Sequence, residues 1–418
     1  MKKRIILTAV LLLITAFMNF ACVNTYSPNG ITRPTRGRKT TENEDATSAE
    51  AFTFEEENGA ITITGLNDTD ETDIIIPSKI NAMPVRAIKE YAFKGNGDLK
   101  SLTVPSGVEK IGYGILSECA GISALTLPFT GERHMTEKGA NDYNFGYIFG
   151  KTAFVGGEKT MQFYHKDLSS DVELVYYYIP TALKEVKITG VSGTHIPYGA
   201  FYNCSALEKI TLGKEITTVG AFAFSGVNAD IVWEEPKITT VGEHAFEDYK
   251  GTTLPIPESV FEIEKKGYSA CVNVKEFTIP DSVKNIDIYA FSYCYDLERV
   301  NFGRNLDKLS AETFYFCIRL KTVNLPENLK TIEDGAFDSC KALEAIEIPS
   351  KVERINANAF KNCLKLKTAR FPDANGWRYY SVLTSGDEFP AETISNPSTA
   401  AKYLTDTFCD YVWEKAPR

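Results

Sequence analysis

A unit of 23 residues recurs through the second half of the chain, and no other feature limits the fold as tightly. Segments of the form Leu-x-x-Val-x-Leu begin at Val274, Leu297, Leu320, Leu343 and Leu366, each 23 residues after the last. Between them runs a second signature: Ala290-Phe291-x-x-Cys294, Thr313-Phe314-x-x-Cys317, Ala336-Phe337-x-x-Cys340 and Ala359-Phe360-x-x-Cys363. The register extends backwards with defects. It passes through Tyr268 with Cys271, Phe246 with Tyr249, Phe224 with Val227 and Phe201 with Cys204. It ends at Leu116 with Cys119 and Phe93 with Asn96, for about ten copies in all.

Each copy has a physical reading. The Leu-x-x-Val-x-Leu stretch alternates apolar and polar residues, as a half-buried strand does. The Pro that often follows stops the strand, because it has no N–H to donate to a ladder. Val283, Ile286, Ala290 and Phe291 then turn the chain back. One unit cannot bury its own apolar face, but stacked units can. The expected fold is a solenoid with a parallel β-sheet, one strand per coil, on one face. Short helical turns or irregular segments form the other face. Strands about 4.8 Å apart make ten coils roughly 50 Å long.

The pattern Ala-Phe-x-x-Cys-x-x-Leu-x-x-Val-x-Leu-Pro resembles the BspA-like, or Treponema-type, class of leucine-rich repeat over residues 52–372. That resemblance implies a bacterial surface protein, and some members of the class are adhesins for host or bacterial partners.

The start of the chain reads as an export signal. Lys2, Lys3 and Arg4 precede an apolar run over residues 5–18, interrupted only by Thr8 and Thr15. The run is too short for a comfortable membrane span and suits a signal peptide. Asn19-Phe20-Ala21-Cys22 follows and resembles a bacterial lipobox, with Asn19 where Leu, Val or Ile is usual. Residues 1–21 are therefore read as a signal peptide and Cys22 as the lipidation site. Residues 22–50, poor in large apolar groups, form a flexible tether. Its basic run, Arg33 to Lys39, is a solvated linker. The expected location is the cell envelope, lipid-anchored, at the cell surface or outer membrane.

The rest divides into a lead-in with the first repeats (51–128), a Tyr/Gly-rich insert (129–182), the main array (183–372) and a C-terminal cap (373–418). In the insert Tyr143, Phe145, Tyr147 and Phe149 alternate with other residues, which suits a strand with one aromatic face. Gly156-Gly157 marks a turn and residues 161–165 a returning strand. Those aromatics either pack on the solenoid flank or form an exposed ledge for a partner. In the cap, Ser398 is expected to start a helix over 399–413, with Ala400, Leu404, Phe408 and Val412 on one face.

Chemistry is sparse. Cys119, Cys204, Cys271, Cys294, Cys317, Cys340 and Cys363 share one repeat position, which argues for a column of buried free thiols. A metal site needs ligands converging from different directions, and parallel Cβ vectors do not converge to disulfide distance. The acidic run over 67–73 has Asp73 where a calcium loop needs Gly. His134, His165, His195 and His244 have no ligand at motif spacing. No nucleophile elbow or phosphate loop occurs. The net charge of −10 argues against nucleic acid as a partner. No metal, cofactor or catalytic residue is assigned.

The reading that follows is a non-enzymatic envelope protein that binds other proteins through the outward side chains of its sheet. Two further classes stay open: an enzyme accessory or glycan- or protein-processing component with its site in the insert, and a structural envelope spacer. The outward candidates are Glu276, Arg299, Asn301, Thr322, Asn324 and Arg370, with Tyr143 and Tyr147 supplying aromatics from the insert.

Overall fold

In the computed structural model, residues 45–134, 144–165, 172–191, 193–380 and 387–416 are described. The repeat unit becomes a coil, and about 13 coils stack into one parallel-strand solenoid with little helix. Each coil has three sides.

The first side is the expected sheet. Glu276–Ile279, Arg299–Phe302 and Thr322–Asn324 pair in parallel with Phe277, Val300 and Val323 in one row. All three are buried, as are Ile346 and Ala369 of the next two strands. An N-terminal run of six strands, from Asp73–Ile75 to Asp230–Trp233, is built the same way. Between the two runs one coil passes without a ladder, yet Leu254 and Ile256 stay buried.

The second side corrects the expectation of one strand per coil. Two-residue parallel ladders run through Thr240–Val241, Glu262–Ile263 and Asn285–Ile286. They continue through Lys308–Leu309, Thr331–Ile332 and Arg354–Ile355. Ile286 and its equivalents do more than turn the chain back. They point inward while their backbone groups, which need partners, meet the same groups one repeat later.

The third side is the Phe–Cys turn. Each Phe-slot N–H donates to the coil beyond it: Phe291 to the Thr313 carbonyl at 2.9 Å, Phe314 to Ala336 at 2.8 Å and Phe337 to Ala359 at 2.8 Å. Inside, the rings form one stack through Phe201, Phe224, Phe246, Tyr268, Phe291, Phe314, Phe337 and Phe360. The turn needs a left-handed residue at two places per coil, filled by Gly335 and Ser339 in one coil and Asn358 and Asn362 in the next.

The insert contributes to the core, which corrects the aromatic strand. Phe145–Ile148 is a 3-10 turn with Phe145, Ile148 and Phe149 fully buried. The strands Ala124–Leu127 and Glu185–Ile188 pair directly, so the stack needs a Phe-slot turn between them, and residues 145–149 supply it. Leu116 N–H donates to the Ile148 carbonyl on one side, and Phe145 N–H to the Ala200 carbonyl on the other, both at 2.8 Å. The Phe145 and Phe201 ring centroids are 4.9 Å apart. From this coil an antiparallel hairpin emerges, Gly157–His165 with Val172–Pro180.

At the C-terminal end the expected helix is shorter and differently capped. Asn396, not Ser398, is the cap: its side chain accepts from the N–H groups of Ser398 and Thr399, ahead of Pro397 in the first turn. The helix Pro397–Lys402 runs into a wider turn at Tyr403–Thr407. Val412–Lys415 is instead a strand, antiparallel to Arg354–Ile355 and to Trp377–Tyr380. The open edge of the second-side ladder explains this, since unpaired edge groups take a partner strand. Trp377 and Trp413 are buried there, beside Phe371.

Candidate interaction surface

Strand register places the outward sheet residues in two columns. Glu276, Arg299 and Thr322 stand side by side in one, and Thr278, Asn301 and Asn324 in the other. Asn324 Nδ2 donates to Asn301 Oδ1 at 3.1 Å, and Asn301 Nδ2 to Glu276 Oε1 at 2.8 Å. The Arg299 guanidinium lies 3.9 Å from the Glu276 carboxylate, with both side chains about half exposed. Such an exposed pair adds little stability, so Arg299 is available to a partner. Arg370 stands opposite Glu347 on the last strand pair, three strands and roughly 14 Å along the sheet from Arg299. The structure thus brings Glu276, Arg299, Asn301, Thr322 and Asn324 into one patch and leaves Arg370 at its far end.

Cys22 and Tyr143 lie outside the described residues. Tyr147 is on the turn side, edge-on to Tyr113 at 5.3 Å, which is in turn edge-on to Tyr91 at 5.7 Å. It does not join the sheet columns. The outward apolar groups of the insert are on the hairpin instead: Leu174 is 58% exposed and Tyr176 44%, with the Lys159 ammonium 4.2 Å over the Tyr176 ring. Leu174-Val175-Tyr176-Tyr177 is apolar or aromatic throughout, so the alternation of exposed Leu174 and Tyr176 with buried Val175 and Tyr177 was not legible in the sequence.

Gln162 was not singled out by the sequence and holds the hairpin in place. It is fully buried. Its Oε1 accepts from Gly146 N–H at 2.9 Å, and its Nε2 donates to the carbonyls of Ala200 at 3.3 Å and Tyr202 at 3.2 Å. Gly146 is required beside it, because a Cβ there would stand 2.3 Å from the Tyr177 ring.

A second group missed by the sequence reading is aromatic and lies on the turn side. Tyr293 meets Tyr315 at 5.5 Å and Phe316 at 5.9 Å, Tyr289 meets Tyr315 at 6.4 Å, and Tyr295 meets Tyr293 at 6.3 Å.

The repeated cysteines are free and buried in the described residues, with Cys409 partly exposed. Each repeat thiol in the regular run donates to a Phe-slot carbonyl of an earlier coil: Cys294 to Tyr268, Cys317 to Phe291 and Cys363 to Phe337, all at 3.2 Å. Burial raises the Cys119 thiol to about 11 and raises those of Cys271, Cys317 and Cys340 well above the ordinary value. At Cys294 burial is the largest influence and raises the pKa, opposed by hydrogen bonds with Cys271 and Cys317. With no cation in the column, burial decides and the thiol stays protonated. Among the described residues no group of three or more His, Cys, Asp or Glu is placed to hold a metal ion. None of their helices is long and apolar enough to cross a membrane.

Two concavities bear on enzyme chemistry. A cleft of about 1080 Å³ lies between the second side and the cap, where Arg354 pairs with Glu414 at 3.5 Å and Lys415 with Asp373 at 2.6 Å. A shallower one of about 340 Å³ on the hairpin is lined by Lys151, Lys159, Leu174, Val175, Tyr176 and Tyr178. The cleft also holds the Thr331 and Ser350 hydroxyls and Tyr380, whose hydroxyl donates to Glu414 Oε2 at 2.6 Å.

Comparison with known proteins places this geometry. A model of the BspA type leucine-rich repeat region, with six copies, matches residues 48–137, 194–310 and 261–379. No curated protein matches the chain. A leucine-rich repeat protein from Bacteroides ovatus is 20% identical, with 78% of this chain and 88% of that one covered and a TM-score of 0.40. A leucine-rich cell surface protein from Faecalibacterium prausnitzii is 22% identical, with 78% and 94% covered and a TM-score of 0.31. The T. pallidum leucine-rich repeat protein is 17% identical, with 77% and 90% covered and a TM-score of 0.20. The matched segments take in well over half of the sequence, and the chain belongs to the BspA-type leucine-rich repeat family.

Proposed function

We propose that the protein is a lipid-anchored envelope protein that displays its solenoid outward as a non-enzymatic scaffold or adhesin for other proteins. The observation that carries this is the in-register polar patch of Glu276, Arg299, Asn301, Thr322 and Asn324. Stacked repeats commonly offer such a face to extended protein partners. The export signal and Ala21-Cys22 support the anchored location, and the family, whose members are typically surface proteins, supports display. Leu174 and Tyr176 add to Tyr143 and Tyr147 as the aromatic and apolar contribution of the insert. Among the described residues the hairpin concavity is lined by two lysines and apolar or aromatic groups, which favours a contact surface over the convergent polar set of the enzyme-accessory reading.

The experiment is a pull-down with the mature protein on intact cells and on cells stripped by external protease, comparing wild type with Arg299→Glu and with Leu174→Ser/Tyr176→Ser. Loss of a partner band in either variant supports the reading. A partner retained by both correctly folded variants overturns these two contact sites.

A further inference from the structure

The turn side carries positive-φ residues in coil after coil, and the side chains at these positions differ from coil to coil. Some coils use residues suited to positive φ, such as Gly199 with Asn203, Gly335 with Ser339, and Asn358 with Asn362, while others carry Tyr91, Phe222, His244 or Lys266 there. Tyr289 (φ 59°), Tyr293 (φ 58°) and Phe316 (φ 59°) occupy the same positions. Large side chains are unfavourable there, and Tyr289, Tyr293 and Phe316 are set apart from Tyr91 and Phe222 by standing together in adjacent coils. Their rings are not core: Tyr289, Tyr293, Tyr315 and Phe316 are partly exposed and Tyr295 is 41% exposed. Stability of the stack therefore does not explain them.

Two carboxylates and one ammonium stand beside the rings. Burial raises the Tyr315 phenol most, followed by Tyr293 and then by the nearby Asp338 and Glu312 carboxylates. Among the described residues neither carboxylate has an ion-pair partner. At other repeat positions carboxylates are paired between coils, Asp296 with Arg319 at 2.6 Å and Glu298 with Lys321 at 2.8 Å. One ring already holds a cation: the Lys341 ammonium is 5.8 Å from the Phe316 centroid. Ring faces attract ammonium and guanidinium groups, and Tyr-rich patches are effective contact surfaces.

We propose that the aromatic edge of Tyr289, Tyr293, Tyr295, Tyr315 and Phe316, rimmed by Glu312 and Asp338, docks a Lys/Arg-bearing segment of a partner protein. The cationic heads meet the two carboxylates, and their alkyl stems lie on the rings. This rests on the interaction-scaffold reading and assigns it a second contact, on a different side of the coil from Arg299.

The test is calorimetry with an eight-residue Arg/Gly peptide at 150 mM salt, a Glu/Gly peptide as control, and a neutral glucan hexasaccharide as the glycan arm. The proteins are wild type, Tyr293→Asn/Phe316→Asn, Tyr315→Ser, Glu312→Gln and Arg299→Glu. The first variant keeps the net charge and places Asn where left-handed backbone favours it, so its thermal midpoint should equal or exceed wild type. The Arg peptide is expected to bind it about tenfold more weakly, with weaker binding also to Tyr315→Ser and Glu312→Gln and unchanged binding to Arg299→Glu. Equal affinity for wild type and the ring variants overturns the proposal, since net charge alone then explains binding. Binding of the hexasaccharide without the peptide overturns it too. Either result leaves the sheet patch untouched, because partner capture through Arg299 is measured separately.

Discussion

The Cys317 thiol donates to the carbonyl of Phe291, 3.2 Å away and one coil back. Two apolar columns of the core are thereby tied to each other by a hydrogen bond that repeats along the stack.

The first prediction concerns these thiols. Cys294, Cys317, Cys340 and Cys363 should resist alkylation in the folded protein and react fully after denaturation without reductant, as read by mass. Disulfide-linked peptides in the non-reduced digest would contradict it.

The same burial gives a pH dependence. A thiol whose folded pKa is raised holds its proton when the unfolded chain has lost it. Its contribution is therefore fully present below about 9 and is lost as pH rises. For Cys119 the loss extends from about 9 to about 11. It amounts to about 1.4 kcal/mol per pH unit for each such thiol. Urea midpoints should fall steeply above pH 9, and Cys119→Ala should flatten the fall. An unchanged slope in that variant would count against the assignment.

Phe337 lies between Phe314 at 5.5 Å and Phe360 at 5.2 Å and is fully buried. Phe337→Ala should cost about 3–5 kcal/mol in equilibrium unfolding. In a stack the effect spreads to neighbouring coils. A midpoint shift below one degree would be inconsistent with a continuous ring stack.

Gln162→Leu should leave the Gly146 N–H and the Ala200 and Tyr202 carbonyls without their side-chain partner. A buried group left unpaired costs roughly 1–3 kcal/mol. Hydrogen exchange should accelerate over 144–165 with little change beyond residue 300. Uniform acceleration would show instead that the hairpin is integral to global stability.

Cys22→Ala should move the protein from the detergent phase to the aqueous phase and remove an acyl mass from the N-terminal peptide. One chain anchors only marginally and two or more hold firmly. Unchanged partitioning would exclude acylation at Cys22.

The stack, the Phe and Cys columns and the polar patch were legible because each repeats over several residues with a fixed burial pattern. The second-side ladder was not, since each coil gives it two residues and only one inward group, such as Ile286. Phe145 and Phe149 misled because a spacing of four satisfies a strand of period two and a tight helical turn alike. Ala400 and Leu404 fit the helix, but continuing the same face to Val412 ignored the open edge at Arg354–Ile355, which is invisible locally. The aromatic edge could have been seen by aligning the turn residues; what the sequence did not disclose was that their slots are left-handed.

The C-terminal end is closed on more than one side, by Val412–Lys415 on the second-side ladder and by Asn358 N–H donating to the Cys409 carbonyl on the turn. Within the regular run each coil instead meets a neighbour of the same shape. A tandem duplication of residues 299–321 would therefore join old and new coils by the contacts already present, whereas a coil added next to Arg354–Ile355 would find that edge taken by Val412–Lys415. Gene-length variation in this lineage should accumulate internally in multiples of one unit, each shifting the patch by about 4.8 Å relative to the terminus.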